Sequence, residues 1–284
     1  PAGGGLDQLS RAFEQALREA KAVEQPLVIV NMGGGAGNAA KAFVHQHRGD
    51  PYYLYLDTNR VYLNKLLGTT ALGHDAVTPL GRLIAEYMVW AVRADSPWRT
   101  LADLVKAAKE KPGAINYSSC GNFGPIHLSV EMLAHQAGIK LTQVPFNGGG
   151  PSLLALLGGQ VDLTTAAPAV ALAQIQSGKV RPLATSGSKR LPMLPDVPTY
   201  AESGAPGYAA TSWTGILAPA KTPRPIIDRL NREIVAILKE PDIRERYAAI
   251  GVVPGGNTPE AFADLIRADT AKWGKVVRDA NVKM

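Results

Sequence analysis

Apolar residues recur along one face from Leu6 to about Val23, with Leu9, Phe13 and Leu17 at four-residue spacing, so this stretch is expected as an amphipathic helix. An unbroken apolar run, Pro26-Leu27-Val28-Ile29-Val30, follows and reads as a fully buried strand. The pattern then predicts a helix over 38–47 and strands over 53–56 and 87–92. Thr100-Leu101-Ala102-Asp103 matches a capping box with Asp in place of Glu, opening a helix that ends near Pro112-Gly113. Beyond it, strands over 115–119, 141–146, 161–165 and 180–185 alternate with helices over 125–137, 151–157 and 169–177. A further strand is expected over 211–217. From Pro223 onward the chain reads as helical, with breaks at Pro241 and at Pro254-Gly255-Gly256. Thr258 and Pro259 supply the N-cap and first position of the last helix.

The rhythm of strand, short turn and helix implies an α/β fold of mostly parallel sheets with helices on both faces. No internal repeat, low-complexity segment or long linker interrupts it. Two α/β units without a floppy connection suggest two lobes joined by crossover strands, best placed at 87–92 and 208–213. Lobe 1 is expected to take 1–92 and 212–284, and lobe 2 to take 93–211, with a ligand cleft between the lobes.

The chain has 284 residues, of which 46% are hydrophobic, so a substantial core is possible and wholesale disorder is excluded. No apolar run reaches the roughly 18 residues that a membrane span needs. The formal charge of +6 is spread out, with Arg224, Arg229, Arg232, Arg244 and Arg246 lying among acids on helical faces. A basic stripe interleaved with aromatics is missing, so no nucleic-acid partner is expected. The single cysteine, Cys120, excludes an intrachain disulfide and a cysteine metal cluster, and reads as a small turn residue. His45 and His47 diverge on a helix, so no metal pair is expected there, and no cofactor is expected. The chain begins at Pro1 rather than Met, which suggests a processed or clipped start.

Three glycine triplets stand out: Gly3-Gly4-Gly5, Gly33-Gly34-Gly35 and Gly148-Gly149-Gly150. Each leads into a helical pattern. Glycine lets a backbone approach a ligand closely, and a helix start offers N–H groups and partial positive charge. The first loop, with Leu6 and Asp7, lacks both the Walker Gly-Lys-Ser/Thr and the dinucleotide spacing, so it is equally an ordinary turn or a carboxylate cradle. The loop Ser118-Ser119-Cys120-Gly121-Asn122-Phe123-Gly124 runs into a helix with His127 in its first turn. Local sequence supplies neither a nucleophile nor an orienting acid for His127, so a packed histidine is the simpler reading. Asn147 and Gly148 again put amides at a helix start. Arg60 follows a strand, at the end where α/β sheets bind ligands; a surface arginine is the bland alternative to a bidentate carboxylate contact.

Together these motifs resemble the solute-binding proteins of tripartite tricarboxylate transporters, the Bug/TctC family. The matching pieces include Pro1-Ala2-Gly3-Gly4-Gly5-Leu6-Asp7, Lys111-Pro112-Gly113, Ile115-Asn116-Tyr117-Ser118-Ser119 and Leu156-Leu157-Gly158-Gly159-Gln160-Val161-Asp162. The pair Leu194-Pro195-Asp196-Val197-Pro198-Thr199 and Thr211-Ser212-Trp213-Thr214-Gly215-Ile216-Leu217-Ala218-Pro219 is the most specific. The resemblance implies a two-lobed periplasmic binding protein fold of type II. It also implies a monomer that closes on a small organic carboxylate and is read by membrane transporter subunits or a sensor kinase. Carried over by position, the binding residues are Gly3, Gly4, Gly5, Leu6 and Asp7 in one lobe, where Arg60 is a further candidate only from its place after a strand. In the other they are Ser119, Asn122, Phe123, Gly124, His127, Asn147, Gly148, Thr165 and Ala166.

Several positions depart from the family. Strand residues usually precede the opening proline. A threonine is common where Leu6 stands, hydroxyl residues where Gly124, Pro125 and Ile126 stand, and an Asp-Asn pair where Ala166 and Ala167 stand. These changes remove polar partners and leave Leu6, Phe123 and Ile126 to line a more apolar pocket. An unmet buried polar group costs about 1–3 kcal/mol, so the expected ligand has a carboxylate end and an apolar or aromatic body. Two other classes stay open: a hydrolase-type enzyme, with Ser119 and His127 as its best pair, and the ligand-sensing domain of a regulatory system.

Overall fold

A computed structural model of the chain describes residues 5–120, 124–146, 148–249 and 252–279. In chain order its elements are α1 (Gly5–Glu19), α2 (Asn38–Gln46), β1 (Tyr55–Thr58), α3 (Arg60–Leu66), β2 (Val77–Tyr87) and β3 (Val89–Arg93). There follow α4 (Leu101–Glu110), β4 (Asn116–Cys120), α5 (Pro125–Ala137), β5 (Thr142–Phe146), α6 (Gly149–Leu157), β6 (Leu163–Ala166), α7 (Pro168–Gln176) and β7 (Val180–Thr185). The chain ends with β8 (Thr211–Pro219), α8 (Arg224–Lys239), α9 (Pro241–Ala249), β9 (Val253–Pro254) and α10 (Pro259–Asp279). Among the described residues, no helix is long and apolar enough to cross a membrane.

The elements form two compact units. The first holds the chain through Ala85, then Trp213–Tyr247 and Val253–Gly274; the second holds Glu86–Ser212 with described residues 248, 249, 252 and 275–279. The chain leaves the first unit along β2 and returns along β8. The first boundary thus falls at 85/86 rather than 92/93, because β3 pairs with β6 and β7 of the second sheet.

The first unit's sheet has the order β1-β8-β2-β9, with β1·β8 and β2·β9 antiparallel. Its core centres on Trp213, whose ring lies 5.0 Å from Phe262 and 6.2 Å from Tyr62. Burying such a side chain contributes about 1.5–3 kcal/mol. The polar tips are satisfied as well. Trp213 Nε1 and Tyr62 Oη both donate to Asp269 Oδ2 (3.0 and 3.3 Å), Asn59 Nδ2 donates to Tyr62 Oη (2.8 Å), and Trp213 N donates to Asn59 Oδ1 (3.0 Å). Gly215 leaves room for this cluster, since a Cβ there would collide with the Phe262 ring.

Two expectations fail in this unit. The run 26–30 is not a strand: Val28 and Val30 are 80% and 66% exposed, and no ladder joins the run to β1, the edge strand of the order. Apolar, β-branched composition gives propensity, but a strand needs a partner's hydrogen bonds. Conversely, β2 went unread because Pro79 and Gly81 break its pattern. Gly81 permits a close backbone approach, as its missing Cβ would lie 3.2 Å from Asn231 Nδ2.

The second unit's sheet has the order β5-β4-β6-β3-β7. Here too the expectation of mostly parallel sheets needs correcting, for this sheet is mixed and the β1·β8 and β2·β9 ladders of the first are antiparallel. β4 pairs parallel with β5 and β6, whereas β3 runs antiparallel to β6 and β7 because it enters from the crossover in the opposite sense. Helices cover both faces. Val89 and Ala91 pack with Leu153, Leu156 and Val161 of the α6 layer. Trp90, pointing the other way, meets Tyr200, which meets Tyr208, whose hydroxyl donates to Ser129 O of α5 (2.7 Å). The capping box at Thr100 is present with both of its bonds.

Candidate ligand-binding site

Parallel pairing puts the carboxyl ends of β4, β5 and β6 at one edge of the second sheet. Register places Ser119 beside Pro145 and Cys120 beside Phe146, with Ser118 beside both Val144 and Thr164. Each strand then feeds a helix whose start faces that edge. The N-caps are Gly124 for α5, Gly148 for α6 and Ala167 for α7, and none of them makes a side-chain capping bond. Proline occupies the first turn of α5 and α7, where its missing N–H removes no helical bond. Gly148 has φ 115°, a conformation that L side chains rarely adopt. Three helix starts at one edge concentrate amide donors and partial positive charge, the arrangement that receives carboxylates in α/β proteins.

A buried hydroxyl cluster braces this edge from beneath. Ser118 Oγ donates to Thr164 Oγ1 (2.9 Å), Ser152 Oγ donates to Ser118 Oγ (2.7 Å), and Ser152 Oγ and Thr164 Oγ1 lie 3.2 Å apart. All three side chains are fully buried, so β4, α6 and β6 are tied by satisfied polar contacts that would be costly to leave unmade.

The candidates at this edge differ in what they present. Ser119 is buried and its Oγ accepts from Gln143 Nε2 at 2.7 Å. His127, 8% exposed in the first turn of α5, has Nε2 3.5 Å from Glu131 Oε1, and Tyr117 Oη donates to the same Glu131 oxygen at 3.3 Å. Burial, with Glu131 beside it, pushes the Tyr117 phenol far up, so it stays a donor. Thr165 and Ala166 belong to β6 and their side chains are fully buried. Thr165 Oγ1 has no hydrogen-bond partner among the described residues. Asn122, Phe123 and Asn147 lie outside the described residues, as do Gly3 and Gly4.

The first unit holds the remaining candidates. Gly5 is the first residue of α1, and Leu6 beside it is 38% exposed. Asp7 is buried; its Oδ1 accepts from Asn31 Nδ2 (2.8 Å) and pairs with Arg11 Nε (3.0 Å), so it anchors the segment carrying Asn31 to α1. Arg60 opens α3, and its guanidinium feels both burial and the nearby Asp57 carboxylate. Asp57 accepts from Tyr55 Oη (2.8 Å) and Thr58 N (2.8 Å). The fully buried Lys41 of α2 donates to the carbonyls of Val61 (2.8 Å), Arg60 (3.4 Å) and Leu72 (3.4 Å), fixing the start of α3. Among the described residues, no cluster of His, Cys, Asp or Glu has the makings of a metal site.

Ser119, Gly124, His127, Gly148, Thr165 and Ala166 are thus gathered around one sheet edge, while Asp7 proves to be an internal anchor. Glu131, Tyr117, Gln143, Asn31 and Asp57 escaped the sequence reading. Only Glu131 had a local signal, its i,i+4 spacing from His127, and it supplies the acid that seemed missing.

Residues 10–282 match the family described as tripartite tricarboxylate transporter family receptor. A Pseudomonas sp. (strain P51) relative, a UPF0065 protein in the tcbD-tcbE intergenic region, is 30% identical over 280 residues, spanning 98% of this chain and 83% of its own. Among solved structures, an R. palustris protein with adipate superposes with a TM-score of 0.87 at 31% identity, covering 100% of this chain and 95% of that one. MatC from Rhodopseudomonas palustris with bound malate gives 0.82 at 29% identity, covering 98% and 96%. With the family match running nearly end to end, the chain belongs to the tripartite tricarboxylate transporter receptor family.

Proposed function

We propose that this protein is a periplasmic receptor that captures a small organic carboxylate, leaves it chemically unchanged and delivers it to the membrane subunits of a tripartite transporter. The observation that carries this reading is the edge where α5, α6 and α7 begin without side-chain caps. A carboxylate there takes the place of the missing caps. Gly5, Leu6 and Arg60 are proposed as a second set of ligand contacts in the first unit. Exposed Leu6, together with Ala166 and Ala167 where acidic and amide side chains are common in the family, favours a ligand with an apolar body. Relatives solved with adipate and with malate support the carboxylate class; adipate, with its methylene chain, is nearer the ligand proposed here. The protein is proposed to act as a monomer.

A thermal-shift screen over straight-chain diacids, aromatic acids, citrate and amino acids tests the reading. A ligand present at about 100 times its Kd adds about 2.7 kcal/mol to stability. Stabilisation is expected from acids with an apolar body. Stabilisation by citrate or aspartate alone would refute the apolar part, and none by any carboxylate would refute the whole. The hydrolase-type alternative, which would use His127 as base with Glu131 as orienting acid, is not favoured by the receptor-family match. Turnover of a carboxylic ester that is lost in H127Q would establish it.

A further inference from the structure

The binding reading does not use the middle glycine triplet, yet the chain does something unusual there. Gly34, Gly35, Ala36 and Gly37 have φ of 120°, 53°, 53° and 95°, four consecutive residues on the left-handed side. Ala36 has no glycine's freedom, so surrounding contacts must hold this turn. Asn64 Nδ2 donates to Ala36 O (3.0 Å) and Asn38 Oδ1 (2.8 Å). Gly37 N also donates to Gly34 O (3.1 Å) within the turn, and a further contact comes from β1, where Tyr55 Oη lies 3.4 Å from Gly37 O. Gly37 is close enough that an added Cβ would sit 3.8 Å from Tyr55 Oη and 3.9 Å from Asp57 Oδ1.

Tyr55 has one hydroxyl proton and two acceptors, Asp57 Oδ2 at 2.8 Å and Gly37 O at 3.4 Å. It cannot serve both fully. While Asp57 is ionised, the shorter, charge-assisted bond takes the proton and the glycine carbonyl is poorly served. We propose that Tyr55 and Asp57 form a proton-operated latch on the left-handed turn at Gly34–Gly37. When Asp57 takes a proton from solvent, its carboxyl O–H donates to Tyr55 Oη. The phenol then rotates its own proton onto Gly37 O. No bond other than O–H is made or broken, and one proton enters for each turn latched.

The surroundings make that protonation accessible. Both side chains are 5% exposed. Asp57 is faced by Lys41 from α2 and Arg60 from α3, with Tyr55 on its own strand, and Asp75 in turn acts on Lys41. The two cations favour the ionised carboxylate, but burial outweighs them and pushes Asp57 up to about 6.

Carbon-13 and nitrogen-15 chemical shifts followed across pH test this on the whole chain without ligand, so the result is independent of what the protein binds. In wild type, the Gly37 carbonyl shift should move with the same midpoint as the Asp57 carboxyl carbon. Y55F should abolish the Gly37 step while Asp57 still titrates. D57N, whose amide donates to Tyr55 at every pH, should hold Gly37 at its low-pH position throughout. A Gly37 carbonyl that stays flat while Asp57 titrates in wild type overturns the latch, and that measurement needs no variant to fold. A step that survives in Y55F overturns it as well.

Discussion

Asp57 shows how one residue can set a property of the whole chain. Its carboxyl is raised from 3.8 to about 6, chiefly by burial, so the folded state binds a proton more tightly than the unfolded state does. The contribution therefore runs opposite to that of an ordinary salt-bridged acid. Stability is greatest below the unfolded value, falls as pH rises from about 4 through about 6, and levels off above. At about 1.4 kcal/mol per unit, the loss is roughly 2–3 kcal/mol, and urea melts across that range should show it, with D57N flattening the slope. None of this was legible from the sequence, where Asp57 is one acid beside Arg60. Its burial comes from β1 packing beneath the glycine turn, a tertiary fact. His127 is the opposite case. Its partner Glu131 stands one helical turn away, a local i,i+4 signal that the sequence carried and the reading of it missed.

At the scale of elements, chemistry written locally survived folding. α5 spans Pro125–Ala137, the range expected, because Gly124 and Pro125 start it and Gly138 in the left-handed conformation stops it. α4 begins where the Thr100 box requires, and Thr100→Ala should cost about 1 kcal/mol in a thermal melt. What depends on distant partners was misread. The apolar run 26–30 has strand composition yet stays half-buried to exposed, and β2 is a long strand despite Pro79 and Gly81. That difference can be measured. Threonine at both Val28 and Val30 should change stability by no more than about 0.5 kcal/mol per site, whereas Val61→Ala in the fully buried start of α3 should cost about 1–3 kcal/mol. A large loss at Val28 would mean that the run is packed after all.

For the whole molecule, the alternation of strand and helix identified the α/β class, and the ordered motifs from Leu156 to Pro219 identified the family, because each marks a turn or strand the fold reuses. Strand direction within the sheets was beyond the sequence, since it depends on how β3 enters the second unit. Within that unit, the site rests on one physical claim: helix starts lacking caps wait for a carboxylate. Gly124 tests it most directly, because its φ of −85° and ψ of 174° suit an aspartate N-cap. Gly124→Asp would fill the α5 amides from within and place a like charge against the ligand. Calorimetric titration of wild type and G124D with adipate should show binding in wild type and at least about a tenfold loss in the variant (about 1.4 kcal/mol), while melting temperature holds or rises. A folded G124D that binds adipate as wild type does would contradict the account.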